Sequence, residues 1–290
     1  MSYPVHSMFE VPATLSVVLA ALVYARGWFR IRRRFPSTIS VRRLGAFMIG
    51  LLALWIAIGS PLTAFHHALL SVHMVQHVLL MAVAPPLALL GAPTLPLLYG
   101  LPGRSVRRTF GRLLHRPLIR SIRQLPKHLG LCWLAPVVAL IGWHVPAVFE
   151  LAVRSRSWHD VQAASFFVTG VLFWAPVVQW PSRRAMAPRW LMPLYLFAAT
   201  LPCDALSAFL VFCGRVVYPS YLSAPRHLNV SPLHDQECAG ALMWVSVSLI
   251  YLVPAVVITI QLLSPARTYP RGVMRDTALR PPHAGEWQVG

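Results

Sequence analysis

The sequence predicts an all-α fold: a polytopic integral membrane protein of seven transmembrane helices, N-terminus outside and C-terminus cytoplasmic. Three observations carry that reading. Of 290 residues, 57% are hydrophobic and only 12% charged, whereas soluble domains carry about 25% charged residues. Apolar stretches long enough to cross a hydrocarbon core, about 20 residues each, recur along the whole chain. The basic residues are concentrated in alternate connections between those stretches.

The seven stretches are Val11–Phe29, Leu44–Ala64, Val72–Leu98, Leu129–Ala152, Val161–Trp180, Trp190–Val217 and Cys238–Leu263. The first lacks the basic leading region of a secretory signal and is followed by arginines, so it is expected to be a retained span. The third carries Pro85, Pro86, Gly91, Pro93 and Pro96, which rules out a straight helix. No internal repeat emerges. Residues 1–263 read as one membrane domain. The tail 264–290, with Pro265, Pro270, Pro281 and Pro282 and no apolar period, is expected to be disordered cytoplasm.

Charge sets the expected orientation. The connection from Arg26 to Arg43 holds seven basic residues, that from Arg104 to Lys127 eight, that after Trp180 three, and the tail four. The other side has only Arg154, Arg156, Arg215 and Arg226. Basic residues collect in cytoplasmic loops, so the net charge of +18 reads as topology and not as a nucleic-acid footprint. The Arg104–Lys127 loop is read first as that topology signal, with a basic helix on the anionic leaflet as the alternative. Four cysteines without a CxxC pair, all in or near apolar segments, argue against a disulfide framework and leave open a single Cys213–Cys238 bridge.

With this topology His6, His66, His67, His73, His77, His144, His159, His227 and His234 fall at the outer side, and only His115, His128 and His283 at the inner. Ionisable groups in or beside apolar spans are costly and usually functional. His73 and His77 lie one helical turn apart with Gln76 on the same face, a spacing that lets two imidazoles grip one metal ion. A bare HxxxH fixes only two of the three or four ligands a site needs. His144, His159 and His234 are the candidates to complete it. Asp160 and Glu150 are read as acceptors that orient an imidazole. His6, His66, His67 and His227 are read as interfacial residues.

The stretch Leu233–Gly240 opens the last span with His234, Asp235, Gln236 and Cys238, where Asp235 also suits the N-cap of its own helix. Gly240 reads as a close helix contact. Met74, Met243, Cys213 and Cys238 add soft sulfur near the same level. Imidazole with thioether or thiolate suits copper, above all its monovalent ion, better than magnesium or calcium.

Several blocks together resemble a known family. His73-Met-Val-Gln-His77 leads into Ala84-Pro85-Pro86-Leu87 and Leu90-Gly91-Ala92-Pro93. Further on come Trp143-His144-Val145-Pro146, Phe173-Trp174, Val217-Tyr218-Pro219-Ser220-Tyr221 and Asp235-Gln236-Glu237-Cys238-Ala239-Gly240 through Met243-Trp244. From about Leu52 to Pro254 the chain is similar to the bacterial seven-helix cytochrome c oxidase assembly factors called CtaG, which are distinct from the single-span copper donor that sometimes shares the name. The resemblance implies a non-enzymatic role in maturing haem–copper oxidase in the bacterial cytoplasmic membrane. It implies copper as the metal, and oxidase subunits and other copper-handling proteins as partners. The family often carries a second histidine four residues after the first in its fifth span; here His159 is followed at that spacing by Ala163. Two other classes stay open, a haem-binding membrane redox protein and a metal transporter. The transporter is disfavoured because the inner halves of the spans hold almost nothing ionisable.

Overall fold

The computed structural model describes residues 7–36, 39–103, 109, 128–179, 188, 190–223 and 230–264. The expectations for the Arg104–Lys127 connection, for His6 and His227, and for the tail beyond residue 264 lie outside these residues. Among the described residues the fold is entirely helical, as the composition predicts. The helices are α1 (Ser7–Arg34), α2 (Val41–Ile58), α3 (Leu70–Val78), α4 (Ala84–Leu90), α5 (Thr94–Gly100), α6 (Leu129–His144), α7 (Pro146–Arg154), α8 (Arg156–Gln179), α9 (Leu191–Phe212) and α10 (Pro232–Leu263). Among the described residues six segments are long and apolar enough to cross a membrane, and the bent pair α6–α7 makes a seventh if counted as one.

That bent pair is where the structure departs from a simple span. The stretch expected as one helix from Leu129 to Ala152 breaks at Val145, and the two parts meet at 78°. The cause is local. Pro146 disfavours the helical conformation in the residue before it, and Val145 is accordingly extended at ψ 124°. Pro146 then occupies the first turn of α7, where its missing N–H costs nothing.

The third span bends less, for a related reason. Pro85 and Pro86 cannot donate to the carbonyls of Met81 and Ala82 four residues earlier. The chain answers with a π-turn over Leu79–Val83, in which the Ala84 N–H reaches back to Leu79. The bare carbonyl of Met81 is met by α8 at Gly170, where a Cβ would stand 2.7 Å from that oxygen. Beyond α4 the chain turns through Ala92 in the left-handed region, φ 46°, into the short α5.

Helix α5 lies against α1 by backbone contact. A Cβ on Gly27 would fall 1.7 Å from the Pro96 carbonyl oxygen, and one on Gly100 1.8 Å from that of Val23. Small residues that let helices approach this closely are a common means of association in lipid. Gly100→Ala must therefore force the pair apart, and the expected cost is about 2–3 kcal/mol, read as a lower unfolding temperature in detergent.

The largest core cluster joins α3, α6, α7, α8, α9 and α10 around Met74, Phe149, Phe173, Trp174, Leu196 and Tyr251, all nearly inaccessible. A smaller cluster around Tyr24, Trp28 and Phe47 ties α1 to α2. The outward faces stay apolar, as at Leu15, Leu19, Leu22, Val245, Leu249 and Val256, the pattern of helices solvated by lipid.

Candidate metal centre

One end of the bundle collects the start of α3, the end of α6, the start of α8 and the 3-10 turn Pro61–Phe65. Helix α3 begins at Leu70, and its own N-cap residue, Leu69, offers no side-chain acceptor. Asp235 of α10 supplies one instead. Its buried carboxylate accepts from the Leu70 N–H at 2.5 Å, the Ser71 N–H at 3.3 Å and the Ser71 hydroxyl at 2.6 Å. Asp235 is thus not the cap of its own helix: Ser231 fills that role, its hydroxyl accepting from the His234 N–H. An aspartate placed for a local cap caps a helix that begins 165 residues earlier.

From this fixed start His73 and His77 project into the bundle, their rings 4.4 Å apart and edge to face. Both are buried, at 0% and 5% exposure. Neither nitrogen of either ring has a hydrogen-bond partner in the protein. Buried polar atoms are nearly always paired, and each that is not costs about 1–3 kcal/mol. Phe149 packs on His73 at 5.0 Å and Phe166 on His77 at 4.5 Å, so the surroundings offer stacking in place of hydrogen bonds.

Three more imidazoles surround the pair. The His144 ring stands 5.7 Å from that of His77, and the His159 ring 5.6 Å from that of His73. His66 stacks on His159 at 4.5 Å and lies 6.0 Å from His73. In each of these outer three, one ring nitrogen faces an oxygen that only accepts, which decides the tautomer. His144 donates from Nδ1 to the Leu140 carbonyl at 2.7 Å, and His66 from Nδ1 to the Thr63 carbonyl. For His159 the argument passes through Gln76, whose Nε2 donates to the Ala57 carbonyl at 2.8 Å. The Gln76 Oε1 is then the atom facing His159 Nε2 at 3.2 Å, so that nitrogen carries the proton. The lone pairs lie on Nε2 of His66 and His144 and on Nδ1 of His159. A histidine whose N–H is held by a carbonyl while its other nitrogen carries the lone pair is the usual form of a metal-ligating imidazole.

A cavity of about 300 Å³ opens beside His66 and His159, lined also by His67, Gln76, Asp160 and Ala163 among others. Ala163 is one turn on from His159, so a methyl occupies the wall where the resemblance leads one to expect a second imidazole. Gln162, fully buried, faces His77 without completing a hydrogen bond. Among the described residues no three His, Cys, Asp or Glu side chains stand close enough together to hold one metal ion. The donor set still fits a soft or borderline cation held by few ligands: neutral imidazoles with oriented lone pairs, and two buried rings whose nitrogens no protein group satisfies.

The other sequence candidates sort differently. His234 is exposed on the first turn of α10, facing Glu237 at 3.5 Å and Cys238 at 3.7 Å, and none of its contacts reaches the buried imidazoles. Cys213 and Cys238 are thiols, not a bridge. Gln236 is buried and ties down the turn after α9, donating to the Leu210 and Arg215 carbonyls and accepting from the Val217 N–H. Met243 belongs to the apolar core. Asp160 is exposed at the cavity wall. Glu150 accepts from Ser220 and Arg154 and orients no imidazole.

Sequence reasoning missed His66, Tyr218 and Tyr221 as parts of this place. The Tyr221 hydroxyl donates to the His66 carbonyl at 2.9 Å, and that of Tyr218 to the His144 carbonyl at 3.2 Å. Burial pushes both phenols up, so both remain protonated donors. Phe149 stacks on Tyr218 at 3.8 Å, joining this brace to His73.

Residues 22–264 match the family described as cytochrome c oxidase caa3 assembly factor. The chain belongs to this family. It is also 30% identical over 237 residues to uncharacterized proteins of Mycobacterium bovis and Mycobacterium tuberculosis, and 25% identical over 260 residues to one of Mycobacterium leprae. These alignments cover 78% of this chain and 35% of the first two relatives, and 86% and 38% for the third. The chain therefore spans little more than a third of the curated relatives it matches. No solved structure matches it. In this member of the family, four of the blocks that carried the resemblance meet at one place. The histidine pair comes from the first, His144 from the Trp-His-Val-Pro block, the tyrosine brace from the Tyr-Pro-Ser-Tyr block, and the cap of α3 from the Asp-Gln block.

Proposed function

We propose that this assembly factor handles copper for the maturing oxidase, holding the ion at the histidine cluster and releasing it by ligand exchange. One observation carries the proposal: His73 and His77 present four buried ring nitrogens that no protein group satisfies. Keeping such atoms is costly unless a ligand repays it. The ion is cargo, and an incomplete cage suits cargo, because a partner that adds one ligand can begin to remove it.

The basic residues favour an outward-facing site. The connections on the opposite side of the membrane carry most of the arginines, and such connections face the cytoplasm. In this reading the protein sits in the bacterial cytoplasmic membrane, and its partners are oxidase subunits and other copper-handling proteins. A haem site is less well supported. Phe149 and Phe166 lie against the two imidazoles, on faces that a macrocycle bound to them would need. A transport path is less well supported too, because Asp204, an ionisable residue deep in a span, is bonded to Ser248 at 3.2 Å away from the cluster.

The test is genetic. Cells lacking the gene are expected to assemble terminal oxidase with normal haem and reduced copper, measured on the isolated enzyme. Oxidase with its full metal content in the deletion strain would sink the proposal.

A further inference from the structure

The cluster has one soft corner. Met74 is fully buried, and its Sδ stands 3.5 Å from His144 Nε2. No hydrogen bond joins them. The thioether has no proton to give, and the His144 proton is on Nδ1, committed to the Leu140 carbonyl. Two lone pairs therefore face each other in a closed space, an arrangement that a cation between them would stabilise. His77 follows Met74 by three residues and shares its helix face. Its ring is 5.7 Å from that of His144, with both nitrogens unpartnered.

We infer that Met74, His77 and His144 form a site of two nitrogens and one sulfur that takes monovalent copper in preference to divalent copper or zinc. This rests on the metal-handling reading and adds the charge and softness of the ion. Two arguments support the selection. Thioether sulfur is a soft ligand that favours Cu(I). All three ligands are also neutral, and among the described residues no carboxylate or thiolate joins them. The cost of burying an ion rises with the square of its charge, so a divalent ion pays about four times the desolvation of a monovalent one in this place.

The experiment uses the full-length protein in detergent. Cu(I) is titrated anaerobically against a chromogenic chelator, with Cu(II) and Zn(II) titrated in parallel. Wild type is expected to prefer Cu(I). Met74→Leu, which conserves volume, is expected to weaken Cu(I) binding by ~10-fold or more and to leave Zn(II) unchanged. Copper-edge X-ray absorption of the loaded wild type is expected to show a sulfur neighbour beside nitrogen. Cu(I) binding unchanged by Met74→Leu, or a shell of nitrogen alone, overturns this inference and leaves the metal-handling reading in place. Wild type that binds none of the three ions overturns both.

Discussion

Purified protein carrying His73→Ala and His77→Ala together is expected to bind copper at least ~100-fold more weakly than wild type, while unfolding at nearly the same temperature. The two halves of that expectation come from one observation. In the metal-free protein the imidazoles contribute four unpaired buried atoms, a penalty of about 1–3 kcal/mol per group. Truncation removes the penalty and opens a cavity between Phe149 and Phe166, which costs about 2–4 kcal/mol per large side chain. The two effects oppose each other, so net stability moves little. The metal affinity has no such offset, because the deleted atoms are the ligands. A variant that binds copper as well as wild type would show that these histidines are not the site. One that no longer folds would show that the rings support the bundle.

Asp235→Ala is expected to lower stability by about 3–5 kcal/mol, a large share of the 5–15 kcal/mol typical of a folded protein. The carboxylate holds two N–H groups of the first turn of α3 and the Ser71 hydroxyl. Its loss leaves them unpaired in a buried place, at about 1–3 kcal/mol each for the better bonded ones. It also removes a negative charge from a helix N-terminus, worth about 0.3–1 kcal/mol. Asp235→Asn keeps one acceptor and should fall between the two. Thermal unfolding followed by circular dichroism in detergent reads the difference. An alanine variant as stable as wild type would mean that the start of α3 is held by its apolar packing alone.

The spans were legible in the sequence because lipid-facing helices announce themselves by composition alone, and six of them stand where the apolar stretches predict. The break at Val145 was less legible. Trp143-His144-Val145-Pro146 sits within an apolar run of spanning length, and a proline near its middle does not say whether the helix bends or stops. The histidine pair was visible from spacing, since His73 and His77 are partners on one helix. His66 was not, because what places it is a ring stacked on His159 from another helix. Asp235 was visible as a capping residue but assigned to the wrong helix, for a local rule cannot know which N-terminus lies across the bundle. Tyr218 and Tyr221 carried only a resemblance until their hydroxyls were seen on the His144 and His66 carbonyls.

The brace and the cap also set an order of events during synthesis. The residue that holds His66 follows it by 155 positions, and the one that holds the start of α3 follows Leu70 by 165. A chain growing from its N-terminus exposes the imidazoles long before it makes Tyr221 or Asp235. A chain stopped before Tyr218 owns every histidine of the cluster and lacks both the tyrosine brace and the cap of α3, and one stopped just before α10 keeps the brace but still lacks the cap. The centre is therefore held in place only after all its histidines have been made, and a copy that stops short of Asp235 lacks the cap that fixes the start of α3.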